Sequence, residues 1–368
     1  MRKAALKMDS EDKLYRDLQI HLDRQTIGFP ETKSGSDIDL LRQIFRPEDA
    51  EMTMMLTYRY ESLEQIHERA KKIGKSLQET ERLLDETAAK GIIGFRKKDG
   101  EKQFRTIPYI VGMAEAALQS PTPELISAHA RFMEDGLFPR AFLNTRIPQI
   151  RTIPVRKSIT PKHHVGRYDD IRELIKTTDG PITVFECVCR KGAEVSGNPC
   201  KRTSRKETCM ALGEMFRNVA EKRHIGRQVS KEEALEILQQ NEDDALVLQP
   251  VNAQAPDFIC SCCGCCCGAL QLHKAIPDPV SHWVTNYYAE VNSELCTACG
   301  SCEERCQTGA VKLDQENTIA AVDLRRCLGC GLCVVDCPEN AIALRKKEIE
   351  TIPPRTGEEM MEVIMINK

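Results

Sequence analysis

The sequence predicts an α+β, multidomain chain: a helical N-terminal domain closed by a hairpin, a cysteine-rich mixed α/β centre, and a small C-terminal domain built from a repeat. Three observations carry this prediction. The length of 368 residues, at roughly 100–200 residues per domain, suggests two or three domains. All 18 cysteines lie after residue 186. The last eight of them recur at a fixed offset, which marks two similar half-units.

Composition narrows the possible functions. With 52 Lys or Arg against 55 Asp or Glu, the net charge of −3 argues against a general nucleic-acid or membrane-surface binder. No apolar run approaches the roughly 20 residues of a membrane span. Met1–Ser10, with Arg2, Lys3, Lys7 and Asp9, lacks the apolar stretch of a signal peptide. A cytoplasmic location is therefore expected, where thiols stay reduced. Eighteen cysteines there read as metal or cluster ligands rather than a disulfide framework. A single tryptophan weighs against broad stacking surfaces for bases.

The N-terminal domain is expected over 1–135. Leu14, Leu18, Ile20 and Leu22 suggest a first helix. Ser36 or Asp37 can cap a second through Leu40, Leu41, Ile44 and Phe45, and Pro47 opens a third with Met52, Met55 and Leu56. Leu63, Ile66, Ala70 and Ile73 stand at helical spacing. Ser76 begins a further helix, with Glu79 three residues on as a capping box and Gly91 as its C-terminal glycine. Ile92–Arg96 and Gln103–Ile107 flank Asp99-Gly100, a hairpin signal.

Three helices followed by a hairpin resemble a winged-helix domain. That resemblance raises the possibility of DNA reading. The helix Ser76–Lys90 would then face the duplex, but it carries Glu79, Glu81, Asp85 and Glu86 against Arg82 and Lys90. Phosphate would repel that balance. Residues 1–120 hold 21 basic and 21 acidic side chains. The only basic cluster is Arg96, Lys97, Lys98 and Lys102 on the hairpin. A protein-interaction or homodimerisation role is the stronger expectation, with Met52, Met54 and Met55 as core or interface.

The centre is expected over 136–286. Pro139, Pro148, Pro154 and Pro161 mark a connecting stretch. Tyr168–Lys176 reads as a helix, Ile182–Phe185 as a strand and Lys231–Gln240 as an amphipathic helix. Ten cysteines follow: Cys187, Cys189, Cys200 and Cys209, then Cys260, Cys262, Cys263, Cys265, Cys266 and Cys267. They are candidate metal ligands, enough for one cubane with spares or two with two left over. Adjacent side chains cannot all converge, because they alternate in an extended backbone. Zinc, a vicinal disulfide and buried structural thiols are the alternatives. Arg190, Lys191, Lys201, Arg202, Arg205 and Lys206 flank the first group. They read as charge compensation, as a docking patch or as a solvated loop. His273 and His282 are nearby candidate ligands, whereas His163-His164 suits a loop. Gly74-Lys75-Ser76 ends like a phosphate-binding loop, but Arg69 stands where its first glycine belongs. No catalytic residue is assigned.

The C-terminal domain is expected over 287–346, followed by a tail over 347–368. Cys296, Cys299, Cys302 and Cys306 form a C-x2-C-x2-C-x3-C run, and Cys327, Cys330, Cys333 and Cys337 repeat it 31 residues on. Ala289-Glu-Val-Asn292 and Ala320-Ala-Val-Asp323, and Gly300 and Gly331, keep the same offset.

This segment resembles the bacterial-type ferredoxin with two [4Fe–4S] clusters. In that family three cysteines of one run bind one cluster and the fourth binds the other. The resemblance implies Cys296, Cys299, Cys302 and Cys337 for the first cluster, and Cys327, Cys330, Cys333 and Cys306 for the second. Cys337 is followed by Pro338, as the family pattern expects, whereas Cys306 is followed by Gln307. The whole order also resembles uncharacterised 4Fe-4S dicluster proteins of anaerobes.

The functional expectation is an electron-transfer protein. It would relay single electrons through two ferredoxin-type clusters, and one or two further [4Fe–4S] clusters, to a partner oxidoreductase. Five basic and nine acidic residues over 287–345 suit docking to a basic patch. A non-catalytic carrier is expected over an enzyme. The alternatives are a redox-sensing regulator that uses the winged helix on DNA, and an oxidoreductase with an open cluster site.

Overall fold

The computed structural model describes residues 10–159, 166–314 and 319–368. Pro161 and His163-His164 lie outside them. The fold is mixed α/β with several small sheets. It divides into two compact units, each drawn from separated parts of the sequence rather than from contiguous segments. The first comprises residues up to Arg146 with Glu214–Ile225 and Met361–Lys368; the second comprises Ile147–Gly213 and Gly226–Met360.

In the first unit the expected helices form at Ser10–Asp23, Ser36–Ile44, Pro47–Thr53, Leu63–Ala70 and Leu77–Ala89. Ser76 caps the last by accepting from the Glu79 N–H at 3.2 Å. The hairpin pairs Gly94–Lys98 with Glu101–Arg105, and Glu61–Ser62 adds a short third strand beside Glu101–Arg105. Asp99 (φ 52°) and Gly100 (φ 85°) both take positive φ, as the tight turn requires. Met52, Leu56, Ile66, Leu83, Leu84, Phe95 and Phe104 form the core that these elements share. Asp49 is fully buried there and is satisfied by Arg46 (3.2 Å), Thr87 (3.2 Å) and Lys90. On the hairpin, Lys102 is paired with Glu81 at 2.8 Å and Asp85 at 2.6 Å. That pairing removes one charge from the basic cluster.

The second unit is built on a five-stranded antiparallel sheet. Its order is Arg227–Val229, Ile182–Glu186, Glu207–Leu212, Phe258–Cys262 and Val247–Pro250. The central strands are apolar and buried, and Lys231–Asp243 packs Ala234, Ile237 and Leu238 inward.

Two two-stranded ribbons complete the unit, pairing Tyr287–Val291 with Ile342–Lys346 and Val311–Asp314 with Ile319–Val322. Their registers are equivalent under the 31-residue offset: Val311 faces Val322, as Ile342 faces Val291. Each ribbon joins one strand from each half of the repeat. The short helices Ser301–Arg305 and Leu332–Val335 follow Gly300 (φ 81°) and Gly331 (φ 76°), where positive φ turns the chain into the helix.

Candidate metal centres

The repeat places its thiols by two matched sets of backbone donors. The Ala310 N–H donates to Cys306 Sγ and the Ala341 N–H to Cys337 Sγ, both at 3.2 Å. These are local contacts, four residues apart. The other set crosses between the halves. The Ala289 N–H donates to Cys327 Sγ at 3.3 Å, and the Ala320 N–H to Cys296 Sγ at 3.4 Å. Ala289 and Ala320 are 31 apart, as are Cys296 and Cys327, so the exchange obeys a pseudo-two-fold axis. Such donors favour thiolates and tune the centres that thiolates hold.

One cavity is lined by Cys296, Cys299, Cys302 and Cys337, with Val291, Leu313, Ala320, Ala341 and Ile342 as apolar walls. Three thiols of the first run thus line one hollow with the fourth of the second, and Thr297 and Glu339 line it as well. The chemistry of this donor set fits a [4Fe–4S] cluster, which takes four thiolates in an apolar, amide-lined pocket.

The two runs differ in exposure. Cys299 is exposed, and the Ser301 N–H and hydroxyl hold its thiol below the ordinary value. Cys327 and Cys333 are buried. Burial raises both thiols, and it pushes Cys330 up to about 12. The segment expected as a proline-rich connection buttresses this second run. The Val155 N–H donates to the Cys330 carbonyl at 2.8 Å, and a Cβ on Gly331 would lie 2.0 Å from Ser158 Oγ. The sequence gives no signal for this contact, because Val155 and Ser158 belong to no motif.

Gln307, the departure from the expected Cys-Pro, has a structural role. It is buried, and its Oε1 accepts from the Gly264 N–H at 2.9 Å. Its carbonyl oxygen lies 2.2 Å from where a Cβ on Gly264 would stand. The turn after Cys306 therefore seats the central thiol loop, and proline could not supply that acceptor.

The ten central cysteines separate into two groups. Cys187 contacts Cys189 and Cys209, Cys189 contacts Cys267, Cys209 contacts Cys260, and Cys262 contacts both Cys260 and Cys267. These six close a ring at one end of the sheet. Alternation explains it: Cys260 and Cys262 share a face of their strand, and the register Met210↔Ile259 sets Cys209 beside Cys260. Contacts with Cys260 and Cys267 bring the Cys262 thiol down to about 7, and contacts with Cys187 and Cys260 lower Cys209.

The remaining four, Cys200, Cys263, Cys265 and Cys266, have all their sulfurs within 4.8 Å of one another. Among the described residues, no other group of three or more Cys, His, Asp or Glu side chains draws together in this way. Cys263 follows Cys262 directly, just past the end of its strand, and clusters with Cys266 and Leu246, with Cys200 and the ring member Cys189 packed against them. Burial opposes ionisation of Cys265, but the Lys201 N–H and the neighbouring thiols bring it down to about 7.

Arg190 is buried beside both groups. It donates to the Ser261 carbonyl at 3.4 Å and to Cys263 Sγ at 3.9 Å. Its charge favours the thiolates of Cys187 and Cys209 as well. Of the other flanking cations, Lys191 pairs with Glu186 at 2.6 Å, Arg205 with Asp244 at 2.7 Å and Lys206 with Glu194 at 3.3 Å. Arg202 donates to the Glu304 carbonyl at 2.8 Å. The run is thus largely spent within the fold. His273 is fully buried and stands edge-on to Trp283 at 5.1 Å; burial depresses it to about 4. Neither it nor His282 joins a thiol group.

Residues 295–342 match the family model of the 4Fe-4S dicluster domain. No curated protein and no solved structure matches the chain. The chain is an iron–sulfur protein with a dicluster ferredoxin domain near its C-terminus. Among the described residues no helix is long and apolar enough to cross a membrane.

Proposed function

We propose that this protein is a single-electron carrier serving a partner oxidoreductase. On this reading Cys296, Cys299, Cys302 and Cys337 hold one [4Fe–4S] cluster, and Cys327, Cys330, Cys333 and Cys306 hold the other. A further cluster draws its ligands from the ring formed by Cys187, Cys189, Cys209, Cys260, Cys262 and Cys267. When bound, a [4Fe–4S] cluster alternates between adjacent oxidation levels and so stores one electron. The protein contributes thiolate ligands, N–H donors to their sulfurs and exclusion of water, the levers that set such a potential.

The observation that carries the reading is the crossed donor pair, Ala289 to Cys327 and Ala320 to Cys296. It provides the same polar support to a ligand in each run. The exposed edge at Cys299 and the acidic excess over 287–345 suit docking of a basic partner surface. The N-terminal unit, on this reading winged-helix-like, serves protein docking or dimerisation. The pairing of Lys102 with Glu81 and Asp85 neutralises one of the four hairpin cations, which weakens the case for phosphate contacts.

Anaerobic purification of the full chain tests this. It should be brown, carry acid-labile sulfide, and on chemical reduction give the electron paramagnetic resonance signals of interacting [4Fe–4S] centres. Colourless protein without labile sulfide would refute the carrier.

A further inference from the structure

We infer that Cys200, Cys263, Cys265 and Cys266 form a closed tetrathiolate site for one tetrahedral, thiophilic divalent ion, zinc or ferrous iron, and not for a cubane. The inference stands apart from the carrier reading, since no electron need pass through this site.

Spacing is the first argument. Cys200 Sγ lies 3.6 Å from Cys263 Sγ and 3.7 Å from Cys265 Sγ, and Cys265 Sγ lies 3.7 Å from Cys266 Sγ. Four sulfurs at about 2.3 Å from one zinc stand about 3.8 Å apart along the edges of a tetrahedron. The observed distances are those edges. In a cubane each thiolate is bound to a different iron of the core, so the sulfurs are held much farther apart. The molecule carries its own control. The eight ferredoxin cysteines form no group within 4.8 Å among the described residues.

The surroundings are the second argument. A divalent ion with four thiolates has a net charge of −2, and buried charge must be compensated. Arg190 supplies a buried guanidinium at Cys263. The Arg202 N–H donates to Cys200 Sγ at 3.4 Å, and the Lys201 N–H supports Cys265. Four thiolates fill the coordination sphere, and closed sites of this type are structural. Three ligands lie on the short loop after the sheet and the fourth on the loop before Glu207–Leu212. The ion would therefore clip those two loops together. Uptake releases the thiol protons, with no oxidant or reductant required.

The test uses the full chain, purified without oxygen, and compares it with Cys265→Ser, which alters the exposed ligand. Zinc is measured by mass spectrometry and iron against acid-labile sulfide. X-ray absorption at the metal edge reads the ligands on unsubstituted protein, so the result does not depend on the variant folding. We expect one ion per chain with four sulfur neighbours at about 2.3 Å and no nearby second metal. In Cys265→Ser that ion should fall at least tenfold while labile sulfide stays unchanged. If the ion is zinc, the zinc content falls; if it is ferrous iron, the iron in excess of labile sulfide falls. Loss of labile sulfide together with several irons in Cys265→Ser would overturn the inference. So would unsubstituted protein with neither zinc nor iron in excess of sulfide. Protein that holds this ion but lacks labile sulfide would refute the carrier and leave the single-ion site standing.

Discussion

In the ferredoxin repeat, two runs of four cysteines are each answered by peptide N–H groups, and the thiols of a run do not crowd one another. In the centre, ten cysteines come from several separate stretches of chain, and each thiol's nearest partners include other thiols. Both regions sit in the same compact unit. What separates them is where the negative charge of a thiolate is compensated. The repeat compensates it locally, with N–H donors such as Ala310 and Ala341 placed by the same loop. The centre adds to such donors, among them the Arg202 N–H at Cys200, a buried guanidinium, Arg190, shared by both thiol groups. A local solution can be duplicated as a cassette, whereas a shared cation ties its ligands to one particular fold.

The strongest way to break this comparison is to remove one ligand from each region. Cys330→Ala should lose one of the two ferredoxin clusters and with it half of the domain's labile sulfide, since a cubane deprived of one thiolate loses a quarter of its protein ligands. Cys200→Ser should leave labile sulfide unchanged. Iron and sulfide analysis of both variants reads the difference. Equal sulfide loss in the two would mean that the regions hold the same kind of centre.

The repeat can also be tested against itself. Gly300 and Gly331 have the same role and nearly the same φ, 81° and 76°, but their surroundings differ. A Cβ at Gly300 meets only Leu313 at 3.7 Å, whereas one at Gly331 would collide with Ser158 at 2.0 Å. Gly300→Ala should therefore cost about 1 kcal/mol, the left-handed penalty alone. Gly331→Ala adds overpacking and should cost about 3 kcal/mol. The thermal midpoint of the loaded protein distinguishes them. Equal shifts would show that the 155–158 segment does not brace the second run.

The same contrast explains what was legible in the sequence. The helices around Ser76 and Pro47 and the Asp99-Gly100 turn were readable because caps and turns act over three or four residues. The repeat was readable because its ligands, glycines and strand ends all recur at one offset, so each observation reinforced the others. The grouping of the central ten was not readable. It depends on which strands are neighbours, and a sequence does not state that Cys209 lies beside Cys260 or that Cys200 folds back onto Cys265. Alternation along Cys260-Ser-Cys262-Cys263 did signal that these thiols could not all converge on one point. The bracing by Val155 and Ser158 left no trace, since backbone N–H groups and a serine hydroxyl are common to every loop.

A further test lies at the seam between the two regions. Gln307 stands where the first run departs from the second, which has Pro338. Replacing it to match, Gln307→Pro, removes the acceptor for the Gly264 N–H and leaves a buried donor unpaired, which costs about 1–2 kcal/mol. Because proline is no ligand and is already accepted after Cys337, the ferredoxin clusters should persist, and labile sulfide should not change. The loop Cys263–Cys266 should loosen instead. Release of its ion to a chelator should quicken while the colour of the protein remains. If Gln307→Pro bleached the protein, the turn after Cys306 would itself require a side-chain acceptor, and the two runs would be less equivalent than their shared N–H donors imply.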